Sequence, residues 1–258
     1  MLRGVDLIGK VERYLLDKIR EDGAIHVTLV DPEKVTPKSA SRIVREAESC
    51  QTAAIMVGGS TIVSTSHLDR IVKAMKKTVK TPVILFPNNV TGISKHADAI
   101  WFMSLLNSSD PYFLMGAQVL GAPLIKKFGL EPIPLGYIVV GEGGAVGVVG
   151  RAVPIPYDKP ELAAAHALAA QYFGMRFVYL EAGSGAKQPV PNAMIRMVKK
   201  VTNIPLIVGG GIKNGEQMKG IVSSGADIIV TGTVVEEFKV KDKIRELVEN
   251  MKSHGKGV

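Results

Sequence analysis

The sequence predicts an α/β fold, a closed (β/α)8 TIM barrel built from residues 1–258 as a single domain, with an extra N-terminal helix ahead of the first strand. Three observations carry this expectation. The chain has 258 residues, close to the roughly 250 typical of that architecture. Eight short apolar runs recur along it, at residues 24–30, 53–57, 82–86, 99–103, 133–140, 177–180, 205–208 and 227–230. Between most of them lie longer segments with helical periodicity.

The apolar runs are rich in Val and Ile and do not alternate polar with apolar residues, as expected of parallel strands buried on both faces. A helix over residues 6–20 precedes the first run, and further helices are expected at 38–50, 68–79, 111–127, 160–173, 192–201, 215–223 and 235–251. Several carry start signals: Thr36 before Pro37, Asp110 before Pro111, and Asp158 shortly before Pro160. The third unit is anomalous. Only residues 88–98, with Gly92 inside, separate the third run from the fourth, so the third helix is expected to be missing or reduced to one turn. Residues 141–157, rich in Gly and Pro, read as a long loop after the fifth strand. No linker or low-complexity stretch divides the chain.

Hydrophobic residues make up 46% and charged residues 22%, enough for a sizeable core and too apolar for disorder. Cys50 is the only cysteine, so no internal disulfide can form, and a cytoplasmic protein with an inert structural thiol is expected. The first ten residues hold no signal-peptide core, and no run of about 18 apolar residues exists, so a soluble chain is expected. The net charge of +8 comes with lysine clusters on helix faces. A solvated surface is the plainer reading; attraction to anionic substrates, or peripheral contact with an anionic membrane, is the sharper one. Nucleic acid is not an expected partner, because aromatics are only 5% and no recognition motif is present. The five histidines show no metal-ligand spacing, which excludes a zinc site. His26, within the first run and with room to face the barrel interior, reads as a hydrogen-bonded core histidine.

In this architecture chemistry sits in the loops after the strands. After the sixth run comes Tyr179-Leu180-Glu181-Ala182-Gly183-Ser184-Gly185, after the seventh Gly209-Gly210-Gly211, and after the eighth Thr231-Gly232-Thr233. Glycines let backbone N–H groups converge on phosphate oxygens, and a following helix adds its positive end. One such loop would mean only a tight turn; three in succession, where barrels of this type bind phosphate, point to a phosphorylated ligand. Glu181 follows its strand directly, at the rim of the mouth, where a carboxylate can accept a proton from a substrate hydroxyl. After the first run, Asp31-Pro32-Glu33-Lys34 is either a plain turn or a Mg2+ and diphosphate site, with Lys34 adding positive charge. Gly58-Gly59-Ser60-Thr61 adds N–H groups and a hydroxyl after the second run, and a second anionic group across the mouth would account for both loops.

The ordered set of motifs, from His26–Lys34 through Val57-Gly58-Gly59-Ser60, Phe86-Pro87-Asn88-Asn89, Tyr179–Gly185 and Val208–Ile212 to Thr231-Gly232-Thr233, resembles the geranylgeranylglyceryl phosphate synthases. These are archaeal ether-lipid prenyltransferases related to bacterial heptaprenylglyceryl phosphate synthase. The resemblance runs from about residue 12 to about residue 249. It implies that the C3 hydroxyl of sn-glycerol 1-phosphate attacks C1 of geranylgeranyl diphosphate, with Mg2+ as cofactor. It also implies that Asp31 and Ser60 hold the metal. Tyr179, Leu180, Glu181, Ala182, Gly183, Ser184, Gly185, Gly209, Gly210, Thr231 and Gly232 would bind glycerol phosphate. Glu181 would orient or deprotonate the hydroxyl, and a homo-oligomer, dimer or hexamer, would form; on physical grounds Lys34, the second catalytic candidate, could help neutralise the diphosphate. The prenyl chain needs an apolar groove, for which Trp101, Phe102, Tyr112 and Phe113 are candidates. Two rival readings share the phosphate loops: a sugar-phosphate isomerase barrel, and a non-catalytic flavin- or sugar-phosphate-binding barrel.

Overall fold

A computed structural model describes residues 8–59, 64–232 and 240–252. Eight parallel strands close into a barrel in sequence order: β1 (Ile25–Val30), β2 (Ala54–Val57), β3 (Val83–Leu85), β4 (Ala99–Leu105), β5 (Glu131–Val139), β6 (Phe177–Glu181), β7 (Leu206–Gly209) and β8 (Ile228–Thr231). β8 pairs with β1, Thr231 lying beside Thr28, which completes the ring. Around it run α2 (Pro37–Ser49), α3 (Thr65–Lys76), α4 (Ala117–Phe128), α5 (Gly144–Val149), α6 (Pro160–Tyr172), α7 (Asn192–Val201), α8 (Gly215–Ser223) and α9 (Val240–Lys252), while α1 (Lys10–Asp22) precedes β1.

Helix starts follow the local chemistry. Thr36 caps α2 through a reciprocal box with Ser39, and Pro37 occupies the first turn, where its missing N–H costs nothing. The buried positions Ala40, Ile43, Val44 and Ala47 repeat at helical spacing and meet Val30, Ile55 and Val57 on the outer face of the sheet. The inward set includes Ile25, Val27, Met56, Ile84, Trp101, Leu135, Tyr137, Phe177, Tyr179 and Val230. Val11 and Leu15 of α1 join that inner cluster. The Glu131 carboxylate at the start of β5 accepts the Val11 and Glu12 N–H groups, each at 2.8 Å, and so caps α1 at the N-terminal end of the strands.

The β3–β4 connection contains only a 3-10 turn at Val90–Gly92, capped by Asn89, whose side-chain oxygen accepts the Thr91 N–H at 2.7 Å. The outer face of β4 is therefore covered by a turn and by α4 instead of a full helix of its own. Two expectations need correction. The segment 141–157 is not simply a loop, because Gly144–Val149 forms the short α5; six residues, half of them Gly or Ala, carry too little periodicity to be recognised in sequence. His26 does not face the barrel interior. Ile25 and Val27 take the inward positions and leave His26 on the outer side, hydrogen-bonded to Thr52 Oγ1 at 3.1 Å and Thr231 Oγ1 at 2.8 Å. A strand buried on both faces gives no alternation from which to tell in from out. The remainder of the histidine expectation holds: it is buried, bonded through both ring nitrogens, and pushed down to about 4 by loss of solvation. For the last helix, residues 235–239 lie outside the described residues; no described helix is long and apolar enough to cross a membrane.

Candidate active site

Glu181 ends β6 and is 6% exposed. Period-two alternation along β6 turns Phe177, Tyr179 and Glu181 to the inside. The neighbouring strand places Tyr137 beside Tyr179 and Val139 beside Glu181. The Glu181 carboxylate accepts hydrogen bonds from the Tyr179 and Tyr137 hydroxyls, and from the Gly183 N–H at 2.7 Å. Desolvation raises its pKa above the usual carboxylate value, and these three donors, which favour the ionised form, only partly offset that. Burial drives both phenols well above their normal pKa, so they remain donors at neutral pH. Phe86 packs edge-on to Tyr137 with ring centres 5.3 Å apart and stacks on Tyr179 at 5.7 Å, fixing both rings.

The glycines of the β7 loop are there for space as much as for turning. A Cβ on Gly209 would collide with the Tyr179 hydroxyl. One on Gly210 would sit 2.6 Å from both Glu181 Oε1 and the Gly183 nitrogen, and Gly210 and Gly211 both have positive φ, at 84° and 71°. The backbone thus comes right up to the carboxylate, and only glycine permits it.

One cavity of about 410 Å³ joins the predicted residues. Tyr179, Glu181, Ser184, Gly210, Thr231 and Gly232 line it at the ends of β6 to β8, and Asp31, Lys34 and Gly59 at the ends of the adjoining β1 and β2. Asp31 caps the 3-10 turn Pro32–Lys34, accepting the Glu33 N–H at 3.0 Å, and its carboxylate rests against Gly59, where a Cβ would approach within 2.6 Å. Not every predicted residue faces the ligand space. Leu180 and Ala182 are buried in the outer core with Met194 and Ile195 of α7, so only their backbone is available. The Gly183 N–H is committed to Glu181. Thr231 Oγ1 is bonded to His26. Gly185 is not among the lining residues, and Ser60 and Thr233 lie outside the described residues.

Beyond the mouth the cavity becomes apolar and reaches residues on both faces of β4. Trp101 and Met103 line it from the inner face of β4, Ile100 and Phe102 from the outer face, Ile93 from the β3–β4 connection, Phe113 from the π turn Tyr112–Gly116, and Gly121 and Ile125 from α4. The groove occupies the place that a third helix would fill. Of the four aromatic candidates, Trp101, Phe102 and Phe113 line it; Tyr112 does not, and packs edge-on against Phe113 at 5.2 Å. Tyr137, which lines the cavity and meets Glu181, is the candidate site residue that the sequence does not single out. It sits mid-strand with no motif around it, and its only signal was the strand pairing that puts it beside Tyr179.

The chain matches the family model described as the PcrB family over residues 16–251. Among curated relatives, the geranylgeranylglyceryl phosphate synthase of Thermofilum pendens is 57% identical over 240 residues, covering 93% of this chain and 92% of the relative. That of Pyrococcus horikoshii is 55% identical, covering 95% and 96%. Among solved structures, (S)-3-O-geranylgeranylglyceryl phosphate synthase from Thermoplasma acidophilum, in complex with substrate sn-glycerol-1-phosphate, superposes with a TM-score of 0.91 at 42% identity, covering 95% of this chain and 99% of that one. With the motifs brought together in one cavity and relatives more than half identical along nearly their whole length, the chain belongs to the PcrB family.

Proposed function

We propose that this chain is a prenyltransferase that joins the C3 hydroxyl of sn-glycerol 1-phosphate to geranylgeranyl diphosphate, giving geranylgeranylglyceryl phosphate and diphosphate. The observation that carries this reading is the continuity of one cavity from the Glu181 carboxylate, past the Asp31–Lys34 turn, to an apolar groove in the barrel wall. A small phosphorylated acceptor, an anionic donor headgroup and a long hydrocarbon each find a matching region. The names of the relatives, and the acceptor held by the Thermoplasma structure, support it.

The residues fit Mg2+. Asp31 offers one carboxylate at the mouth, and no group of three or more His, Cys, Asp or Glu gathers among the described residues. A hard cation that keeps several waters and shares substrate phosphate oxygens needs no more. Asp31 would hold it together with Ser60, and when bound it neutralises the diphosphate charge. Lys34, exposed on the same turn, adds a fixed positive charge for the departing anion. Glu181 takes the proton of the C3 hydroxyl as that oxygen bonds to C1; the C1–oxygen bond to diphosphate breaks and its electron pair leaves with the diphosphate. Tyr137, Tyr179 and Gly183 hold the carboxylate in place throughout. Incubating the protein with Mg2+, sn-glycerol 1-phosphate and prenyl diphosphates of several lengths should give the geranylgeranyl ether by mass spectrometry, and chelator should abolish it. No ether product with any donor would sink the assignment, and undiminished turnover in chelator would sink the metal. A sugar-phosphate isomerase or a flavin-binding barrel gives the apolar groove nothing to do.

A further inference from the structure

The Asp31–Lys34 turn is short, with Glu33 and Lys34 exposed, yet it must hold a carboxylate and an ammonium in register with the mouth. Within it, Glu33 N–H donates to Asp31 Oδ1 at 3.0 Å and Lys34 N–H to the Asp31 carbonyl at 3.1 Å. Help comes from the first turn of α3. The half-buried His67 places Nε2 at 2.9 Å from the Pro32 carbonyl. A carbonyl only accepts, so Nε2 carries the proton and donates. Two residues earlier, Thr65 Oγ1 donates to the Thr91 carbonyl at 3.1 Å, in the 3-10 turn of the β3–β4 connection. Two residues later, Asp69 accepts from Ser94 Oγ at 2.6 Å. One helical turn is therefore tied both to the Asp31–Lys34 turn and to the connection that carries Asn88, Asn89 and Ile93 past the cavity.

We infer that His67 is a positioning residue for the donor half of the site: it fixes the Pro32 carbonyl and thereby sets Asp31 and Lys34 for a Mg2+-bound diphosphate. It is not among the residues that line the cavity and has no part in acceptor binding, whose proposed residues sit on β6 to β8. The inference rests on the prenyltransferase reading. A single hydrogen bond contributes about 0.5–1.5 kcal/mol net, so its loss should weaken the donor side by roughly two- to tenfold.

Isothermal titration of the full chain with inorganic diphosphate plus Mg2+, and separately with sn-glycerol 1-phosphate, tests it alongside steady-state kinetics. For His67→Ala, diphosphate affinity should fall and KM for prenyl diphosphate should rise by that factor, while glycerol-phosphate affinity stays unchanged. His67→Gln, whose amide nitrogen can take the place of Nε2 as donor, should recover most of the loss. Unchanged diphosphate affinity in a folded His67→Ala protein overturns the inference. So does an equal loss for both ligands that glutamine does not rescue, since that marks a general structural role. Wild-type protein that binds neither ligand overturns the prenyltransferase reading itself and the inference with it, whereas wild-type binding with an unaffected His67→Ala variant overturns the inference alone.

Discussion

As the proposed base, Glu181 would combine two demands that usually conflict, since a base must be ionised to work and burial disfavours the ion. Desolvation raises its pKa, so deprotonation at working pH depends on the donors from Tyr179, Gly183 and Tyr137. The base is active only when deprotonated, and the acid limb of kcat should therefore lie above the usual carboxylate range; Tyr137→Phe removes one donor and should move that limb to still higher pH. Glu181→Gln keeps the size and loses the base. Its kcat should fall by roughly 10²-fold or more, the low end of what a positioned base contributes, while the acceptor KM changes less because the phosphate is held by other groups. A normal kcat with a raised KM would reduce Glu181 to a binding residue. His26 makes a separate prediction. Its folded pKa of about 4 lies below the unfolded value of about 6.5. Between those pH values the unfolded chain binds a proton that the folded chain refuses, so stability is complete above about pH 6.5 and drains away toward pH 4. The contribution is on the order of 3 kcal/mol. Urea denaturation at pH 7, 5 and 4 should show the loss, and His26→Gln should flatten it.

At the scale of one element, α1 is secured in its first turn, at Val11 and Glu12, by residues far away in sequence. Glu131 caps it from β5, and Arg176, just before β6, pairs with the fully buried Glu12 through two contacts at 2.5 and 2.7 Å. Removing one partner leaves a carboxylate in the core, which costs about 3–5 kcal/mol; replacing both with apolar residues of similar volume is often neutral. Arg176→Met should therefore lower the urea midpoint strongly, and Glu12→Met with Arg176→Met should restore most of it. A small effect of the single change would mean that α1 yields without disturbing the barrel. The 3-10 connection between β3 and β4 shows the reverse economy, where a shortened element creates a feature.

At the scale of the whole molecule, that shortened connection opens a ring that is otherwise sheathed by helices. The barrel closes through β8–β1 pairing, and the interior is filled by layers of side chains, so a long hydrocarbon cannot enter down the axis. On the proposed reading it leaves sideways, along the apolar groove that β4, the 3-10 connection and α4 line. Gly121 lies on α4 where that groove is narrow: a Cβ there would sit 3.2 Å from Ile93 Cδ1. Gly121→Leu should fill the groove, raising KM for geranylgeranyl diphosphate at least tenfold while geranyl diphosphate is spared; equal use of both donors by wild type and variant would place the chain elsewhere.

The sequence by itself determined the barrel, the order of its elements and the reduced third connection, and it singled out Asp31 and Glu181, which the fold brings to one cavity. Those features are local. Apolar runs, capping residues and glycine turns are short-range chemistry, and the architecture places strand ends at one mouth. Three things were decided only by tertiary structure. The direction in which His26 and Thr231 point was hidden because both faces of a parallel strand are apolar. Tyr137 became a site residue only when β5 paired with β6 in one register and not its neighbour. The path of the groove past Ile93, Gly121 and Ile125 emerged only when α4 packed against β4 beside the shortened connection, because a cavity is defined by residues distant in sequence and none of them carries a motif.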